Sequence, residues 1–203
     1  MGEVKRKYKP KIPVILLAGK AGSGKDTIAE MIRQEVETGL NNAIGDVAVL
    51  GFADILKTTC CRNHNYKNKE TGRQILQTVG DEFREVQPDV FVKITSQLIK
   101  VYADLDYQVV VISDTRYQNE FDYINENVGC AVPYVIKIQR EGHGGLEGEE
   151  GRHKSEEMSI QEDFTIFVPE LNLQKRNVVE YSNLIREVRR VLEEIFEDFL
   201  EYR

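Results

Sequence analysis

Chemistry first shows in nine residues near the start of the chain, "GKAGSGKDT" (19–27). Glycines in series followed by lysine compose a loop whose backbone N–H groups can turn inward on a polyphosphate. Side chains are excluded there because a Cβ blocks close approach and disfavours positive φ angles. Ala21, Gly22, Ser23 and Gly24 would line the cradle, and Lys25 would reach the β- and γ-phosphates as a point charge. The usual pattern, G-x-x-x-x-G-K-[ST], puts a hydroxyl after the lysine to reach a magnesium ion. Here Asp26 takes that place and Thr27 comes one position late. A carboxylate at Asp26 can hold Mg²⁺ directly or through water, or orient a water near the transferring group, while Thr27 can supply the hydroxyl. The sequence leaves these roles open.

Other reactive residues lie further along. "QVVVISD" ends in Asp114, the placement of a second magnesium-organising carboxylate. Just beyond it Arg116, Asn119 and Glu120 share a helix face, where open α/β sheets bind ligands at the carboxyl ends of their strands. In "TGRQILQTVGDEFRE" (71–85), Arg73, Gln77, Gly80 and Arg84 fall at intervals of four, three and four, one stripe of a helix. Ile75, Leu76, Val79 and Phe83 form its apolar side. Two guanidinium groups flanking an amide and a gap without a side chain would seat a phosphate and a base, because arginine's planar fork binds phosphate oxygens in pairs. The plainer reading is a solvated helix face with salt bridges. "CCRNH" offers Cys60, Cys61 and His64, but no fourth ligand follows at zinc spacing, so incidental or buried thiols are expected. None of the three histidines, His64, His143 and His153, falls in a predicted strand.

What must position these groups is a layered α/β fold with a mostly parallel sheet. Strands are predicted at Val14–Ala18, Val47–Phe52, 108–114, Tyr134–Ile138 and Phe164–Val168. The second of them runs apolar through Val109, Val110, Val111 and Ile112 once the glycine loop's own strand is set aside, as a strand covered on both faces requires. Helices are predicted from Ile28, Met31, Ile32 and Val36, from Tyr117, Phe121, Ile124 and Val128, and from Val188, Val191, Leu192, Ile195 and Phe199. The last stripe is expected to pack on the sheet. Residues 53–106 form a helical insert too long for a plain crossover, and the glycine-rich, charged stretch 140–158 reads as a lid. No internal repeat interrupts the pattern.

The 203 residues, 41% apolar and 30% charged, suit one soluble globular domain. A net charge of −7 disfavours a nucleic-acid polymer as partner. The basic leader before Val14 runs into the glycine loop rather than a cleavage site, so a solvated arm is expected, not a signal peptide, and no apolar run could span a membrane. Three cysteines make no disulfide framework and fit a reducing cytoplasm.

The ordered blocks "GKAGSGKDT", "GFADILK" (51–57), "TGRQILQTVGDEFRE", "VVVISDTRYQNEFDYI" (109–124), "IKIQRE" (136–141) and "RHKSEE" (152–157) resemble those of the phage-type deoxynucleoside monophosphate kinases, a branch of the P-loop nucleotide kinases. The resemblance runs from about residue 13 to about residue 168. It implies a three-layer P-loop kinase fold with a five-stranded sheet, an acceptor-binding insert and a closing lid. It further implies Mg²⁺, with ATP at the glycine loop and a deoxynucleoside 5′-monophosphate as acceptor. In that frame Lys25, Asp26 and Arg116 are the catalytic set. Lys57, Arg73, Gln77, Arg84, Asp114, Arg116 and Glu120 contact the acceptor. Arg140 and Arg152 join the ATP site, and Asp26, Thr27 and Asp114 hold the metal. His153, Ser155 and Glu156 match a block to which chemistry assigns no role. Asp-Thr after the lysine is normal in this branch, so the loop reads as intact. The partners expected are small nucleotides, with a homodimer left open. One alternative is a P-loop kinase for another small phosphorylated metabolite, such as phosphomevalonate, whose family shares "SGKD" (23–26) and "SDTR" (113–116). Another is a nucleotide-binding switch without turnover, against which stands the absence of a guanine-reading N-K-x-D motif.

Overall fold

A computed structural model describes residues 11–39, 45–61, 69–142, 160–169 and 178–202, with the side chains of Thr59, Cys61, Lys69, Glu70, Thr71 and Arg73 outside the description. Five strands, β1 (Ile12–Ala18), β2 (Val47–Leu50), β3 (Val109–Thr115), β4 (Ala131–Arg140) and β5 (Phe164–Val168), form one sheet in the order β2-β3-β1-β4-β5. Every pairing in it is parallel, so all five carboxyl ends share one edge.

Central strands of such a sheet are covered on both faces and need apolar side chains throughout. All seven residues of β1 are buried, as are Val109 to Ile112 in β3. On one face, α1 (Lys25–Glu37) and α6 (Val178–Glu201) pack against Ile15, Leu17, Val109 and Val111. The predicted stripes Ile28/Met31/Ile32/Val36 and Val188/Val191/Leu192/Ile195/Phe199 are the residues they bury. On the other face, α2 (Asp54–Cys61), α4 (Val90–Asp104) and α5 (Gln118–Asn127) cover Val14, Leu16, Val110 and Ile112. The fold is therefore a three-layer α/β sandwich.

The region 53–106 holds α2, α3 (Lys69–Val86) and α4. Its last helix belongs to the core layer, burying Phe91, Val92, Ile99 and Ala103 against the sheet. Among the described hydrophobic side chains of α3, Leu76 and Val79 reach that core, while Phe83 is 51% and Val86 88% exposed. Glycine 80, on the opposite stripe, is buried. The polar stripe of this helix thus turns inward and the end of its apolar side turns out.

Both proline-containing strands are longer at their starts than the predicted ones, for one reason. Ile12 donates its N–H to the Cys130 carbonyl, so odd residues of β1 face β3; Pro13 meets that side before pairing begins at Val14↔Val110. In β4, Val135 bonds toward β5, so Pro133 faces the same side, where pairing begins only at Ile136↔Phe164. Neither missing N–H falls in a ladder. Conversely, β2 stops at Leu50 instead of running to Phe52, because the Phe52 N–H is captured by Asp114 at 2.6 Å. Among the described residues no helix is long and apolar enough to cross a membrane.

Leu192→Ala, at a fully buried α6 position, should cost about 2–5 kcal/mol in urea denaturation. Leu98→Ala, on the outer face of α4, should cost under about 1 kcal/mol. Equal losses would mean that this outer face is covered in solution.

Candidate active site

The chain leaves β1 at the shared carboxyl edge and turns through residues 19–24 into α1. Gly22 (φ 79°) and Gly24 (φ 102°) adopt the left-handed backbone that the turn demands. At Gly19 the constraint is space, since a Cβ would lie 2.6 Å from both the Ile138 carbonyl oxygen and Ser23 Oγ. Lys25 is buried, and its Nζ donates to the carbonyl oxygens of Gly19 (2.5 Å) and Lys20 (2.9 Å). The ammonium therefore sits inside the loop, at the N-terminus of a 13-residue helix, where backbone amides and helix dipole both favour an anion. From the end of β4, Arg140 Nη1 reaches the Gly22 carbonyl at 3.3 Å. Asp26 and Thr27 are exposed on the first turn of α1, and Ala21 and Gly24 are partly covered.

Beside this loop lies the end of β3. The register slips between Leu16↔Ile112 and Ala18↔Thr115, inserting an extra residue that re-aims the strand's last side chains. Asp114 accepts from the backbone N–H groups of Phe52 (2.6 Å) and Ala53 (3.2 Å), fixing the turn from β2 into α2. Lys57, one turn into α2, stands 3.0 Å from Asp54 Oδ1 and 3.7 Å from Asp114 Oδ2. Burial works against its charge, but the carboxylates of Asp114 and Asp54, with Asp26 adding to them, outweigh it and hold its pKa above the ordinary lysine value. The same balance shows that the acid of the glycine loop and the lysine of the insert share one electrostatic neighbourhood.

The segment after Asp114 ties the insert to the sheet. Glu120 Oε2 accepts from the N–H groups of Arg116 (2.8 Å) and Tyr117 (3.0 Å), closing the N-terminus of α5. It is buried, and desolvation raises its pKa to about 7 against the opposing pull of those two backbone bonds. Asn119 donates to Asp89, just ahead of α4, at 2.9 Å. Arg84 of α3 lies between the rings of Phe91 (4.7 Å) and Tyr117 (4.8 Å), a cation held on two π faces. Gly80 makes room for it, since a Cβ there would approach Arg84 Nη1 to 3.2 Å and Leu56 to 3.4 Å.

The structure thus brings Lys25, Asp26, Lys57, Asp114 and Arg140 to one edge of the sheet. Arg116 follows directly on β3, whereas Glu120 and Arg84 are engaged in holding the platform itself. Gln77 is half-buried on the inward stripe of α3. The backbone of Arg73 lies in α3, but its side chain is outside the described residues, as are Arg152, His153, Ser155, Glu156 and the 143–158 portion of the predicted lid. Sequence reasoning read Tyr117 as part of the helix stripe; it precedes the helix and packs on Arg84. Asp54 was overlooked, although its spacing of three from Lys57 on a helix was the available signal. Phe91 and Asp89 gave none, because their partners lie on other elements. Thr115, fully buried, carries a hydroxyl with no hydrogen-bond partner among the described residues, and so does Ser23 within the loop.

Mg²⁺ prefers a few carboxylate oxygens together with phosphate and water. Asp26 and Asp114, two of the three carboxylates that hold the Lys57 charge, are donors of that kind. Among the described residues no group of three or more His, Cys, Asp or Glu could cage a metal by itself.

Compared with known families, residues 17–130, more than half of the chain, match the phosphomevalonate kinase family. The chain belongs to that family. No curated protein matches its sequence. Among solved structures it is similar to a sugar kinase from Janibacter sp. HTCC2649 at 14% identity and TM-score 0.50, covering 91% of this chain and 95% of that one. A thymidylate kinase from Ehrlichia chaffeensis is similar at 10% identity and TM-score 0.49, covering 90% and 100%. At such identities the likeness is one of fold, the P-loop kinase fold expected from the sequence.

Glu120 holds its proton more tightly in the folded chain, with a pKa near 7 against 4.5 unfolded. Its contribution is therefore complete below about pH 4.5 and is lost as pH rises through 7, by up to ~3 kcal/mol. Urea midpoints measured from pH 5 to pH 8 should fall less steeply for Glu120→Gln than for the parent. Arg84→Met should cost ~1–2 kcal/mol by loss of both ring contacts, checked by thermal melting.

Proposed function

We propose that this chain transfers the γ-phosphoryl group of ATP to the phosphate of a small phosphomonoester, in the manner of the phosphomevalonate kinase family, giving ADP and a diphosphate ester. The observation that carries this reading is the meeting of two cationic groups at one sheet edge. Lys25 sits within a backbone-amide loop, and Lys57 stands beside Asp114 on the insert. An acceptor phosphate is already ionised at neutral pH, so the reaction requires no strong general base, and none of the histidines need serve as one. Catalysis is then positioning and charge neutralisation.

In this reading the loop amides and Lys25 bind the β- and γ-phosphates, and Arg140 braces the loop from β4. Lys57 and Arg116 face the acceptor phosphate. Asp26, Thr27 and Asp114 would hold Mg²⁺ directly or through water; when bound, the ion neutralises charge on the β- and γ-oxygens. The segment 140–158 would act as the lid that excludes water, which would otherwise accept the phosphoryl group.

A second reading is kept for a specific reason: the α3 block "TGRQILQTVGDEFRE" resembles that of deoxynucleoside monophosphate kinases and turns its Gln77/Gly80/Arg84 stripe inward. Coupled ADP-release assays with phosphomevalonate, other small phosphomonoesters, the four deoxynucleoside monophosphates and their ribonucleotide counterparts separate the two. Phosphomevalonate turnover with inert nucleotides supports the first reading, and the converse supports the second. ATP binding without transfer to any acceptor would support a switch instead. Lys25→Ala should lower kcat at least a hundredfold, roughly 3 kcal/mol of transition-state stabilisation; near-normal turnover would mean that the donor site lies elsewhere.

A further inference from the structure

We propose that Asp54, in the first turn of α2, is a positioning residue that aims Lys57 into the gap between donor loop and acceptor. The two oxygens of Asp54 have different tasks. Oδ2 accepts the Gly51 N–H at 2.6 Å, and Oδ1 accepts Lys57 Nζ at 3.0 Å. The first bond anchors the carboxylate to the turn, so the second holds the ammonium in place and does not follow it. Gly51 is part of the device. A Cβ there would lie 2.8 Å from Asp54 Oδ1 and 2.9 Å from Asp114 Oδ2, so the two carboxylates close over a position that only glycine leaves open. The block Gly51-x-x-Asp54-x-x-Lys57 thus acquires a physical sense: a bare residue, an anchored anion and the cation it steers.

Both side chains of the pair are about half exposed, Lys57 at 49% and Asp54 at 54%, as groups facing an open cleft would be. An exposed pair one helical turn apart stabilises a fold by only ~0.2–1 kcal/mol. Its value lies in direction. Without the charge of Asp54, the nearest anion to Lys57 is Asp114, already 3.7 Å away. The ammonium would settle on that carboxylate, at the end of β3, and leave the place that Asp54 fixes for it. Asp54 itself touches neither reacting group and acts through Lys57.

This inference rests on the phosphoryl-transfer reading above. Asp54→Asn tests it cleanly, because the amide oxygen can still serve Gly51 while the negative charge that holds Lys57 is gone. With the best acceptor of the panel, kinetics are measured for the parent, Asp54→Asn, Lys57→Met and the double variant. Each single change should raise the acceptor KM about tenfold and move the ATP KM less than about twofold, with the double variant no worse than Lys57→Met, the signature of two residues acting as one. An unchanged acceptor KM in Asp54→Asn, or losses that add in the double variant, would overturn the proposal. If no acceptor is turned over, the phosphoryl-transfer reading fails by itself. The same four proteins, loaded with ADP, are then titrated with inorganic phosphate by calorimetry. The same non-additive pattern in Kd supports the role of Asp54; equal Kd values in parent and Asp54→Asn, or no phosphate binding by the parent, overturns it.

Discussion

The carboxylate of Asp114, at the end of a strand next to the sheet's centre, clasps two backbone N–H groups of the chain leaving the neighbouring edge strand. Three consequences issue from that grip. The edge strand is cut short, the chain turns sharply at a glycine, and a helix starts in the one direction that brings its lysine back toward the same carboxylate. A single side chain thereby sets the spacing between the glycine loop and the first helix of the insert. Because the sheet is entirely parallel, every strand delivers its exit to this edge, and the clasp is all that is needed to choose the geometry there.

The electrostatics follow the same economy. The chain as a whole is acidic, at −7, yet Lys25, Lys57 and Arg140 stand at one edge of its sheet. Lys25 is surrounded by carbonyl oxygens inside the loop, and Lys57 by carboxylates from three different elements. Acids around a lysine keep it charged against the cost of burial and fix where it stands. Glu120 does the opposite task with the same chemistry. It is buried on two backbone donors, and desolvation there favours its neutral form while it holds the turn that carries Arg116.

The fold was largely legible from the pattern of apolar residues. The strands and the helix stripes around Ile28 and Val188 occupy their predicted places because burial on two faces, or on one stripe, leaves a periodic mark in sequence. The glycine loop was equally legible, since its shape depends on local backbone freedom. What sequence could not supply were contacts between elements far apart in the chain. The Arg84 stripe read as a seat for a phosphate and a base or as a solvated face, while Phe91 and Tyr117, which flank its guanidinium, become neighbours only through tertiary packing. Asp114 read as a metal ligand, and its hold on Phe52 and Ala53 depends on a strand pairing some sixty residues away. Pro133 hid the first residues of its strand, because a proline there is tolerable only when the adjoining strand begins later.

The sandwich around Arg84 has a bearing on ionic conditions. The Arg84 side chain is only 25% exposed, with its guanidinium less than 5 Å from two ring centres, and charges so covered are screened less by salt than exposed ones. Dissolved ions weaken that attraction far less than they weaken the exposed pairs along α1 and α6, such as Arg33 with Glu37. The packing of α3 on its neighbours is for this reason built from the kind of cationic contact that brine dissolves last, leaving the exposed ion pairs of α1 and α6 as the contacts most open to the ionic strength around them.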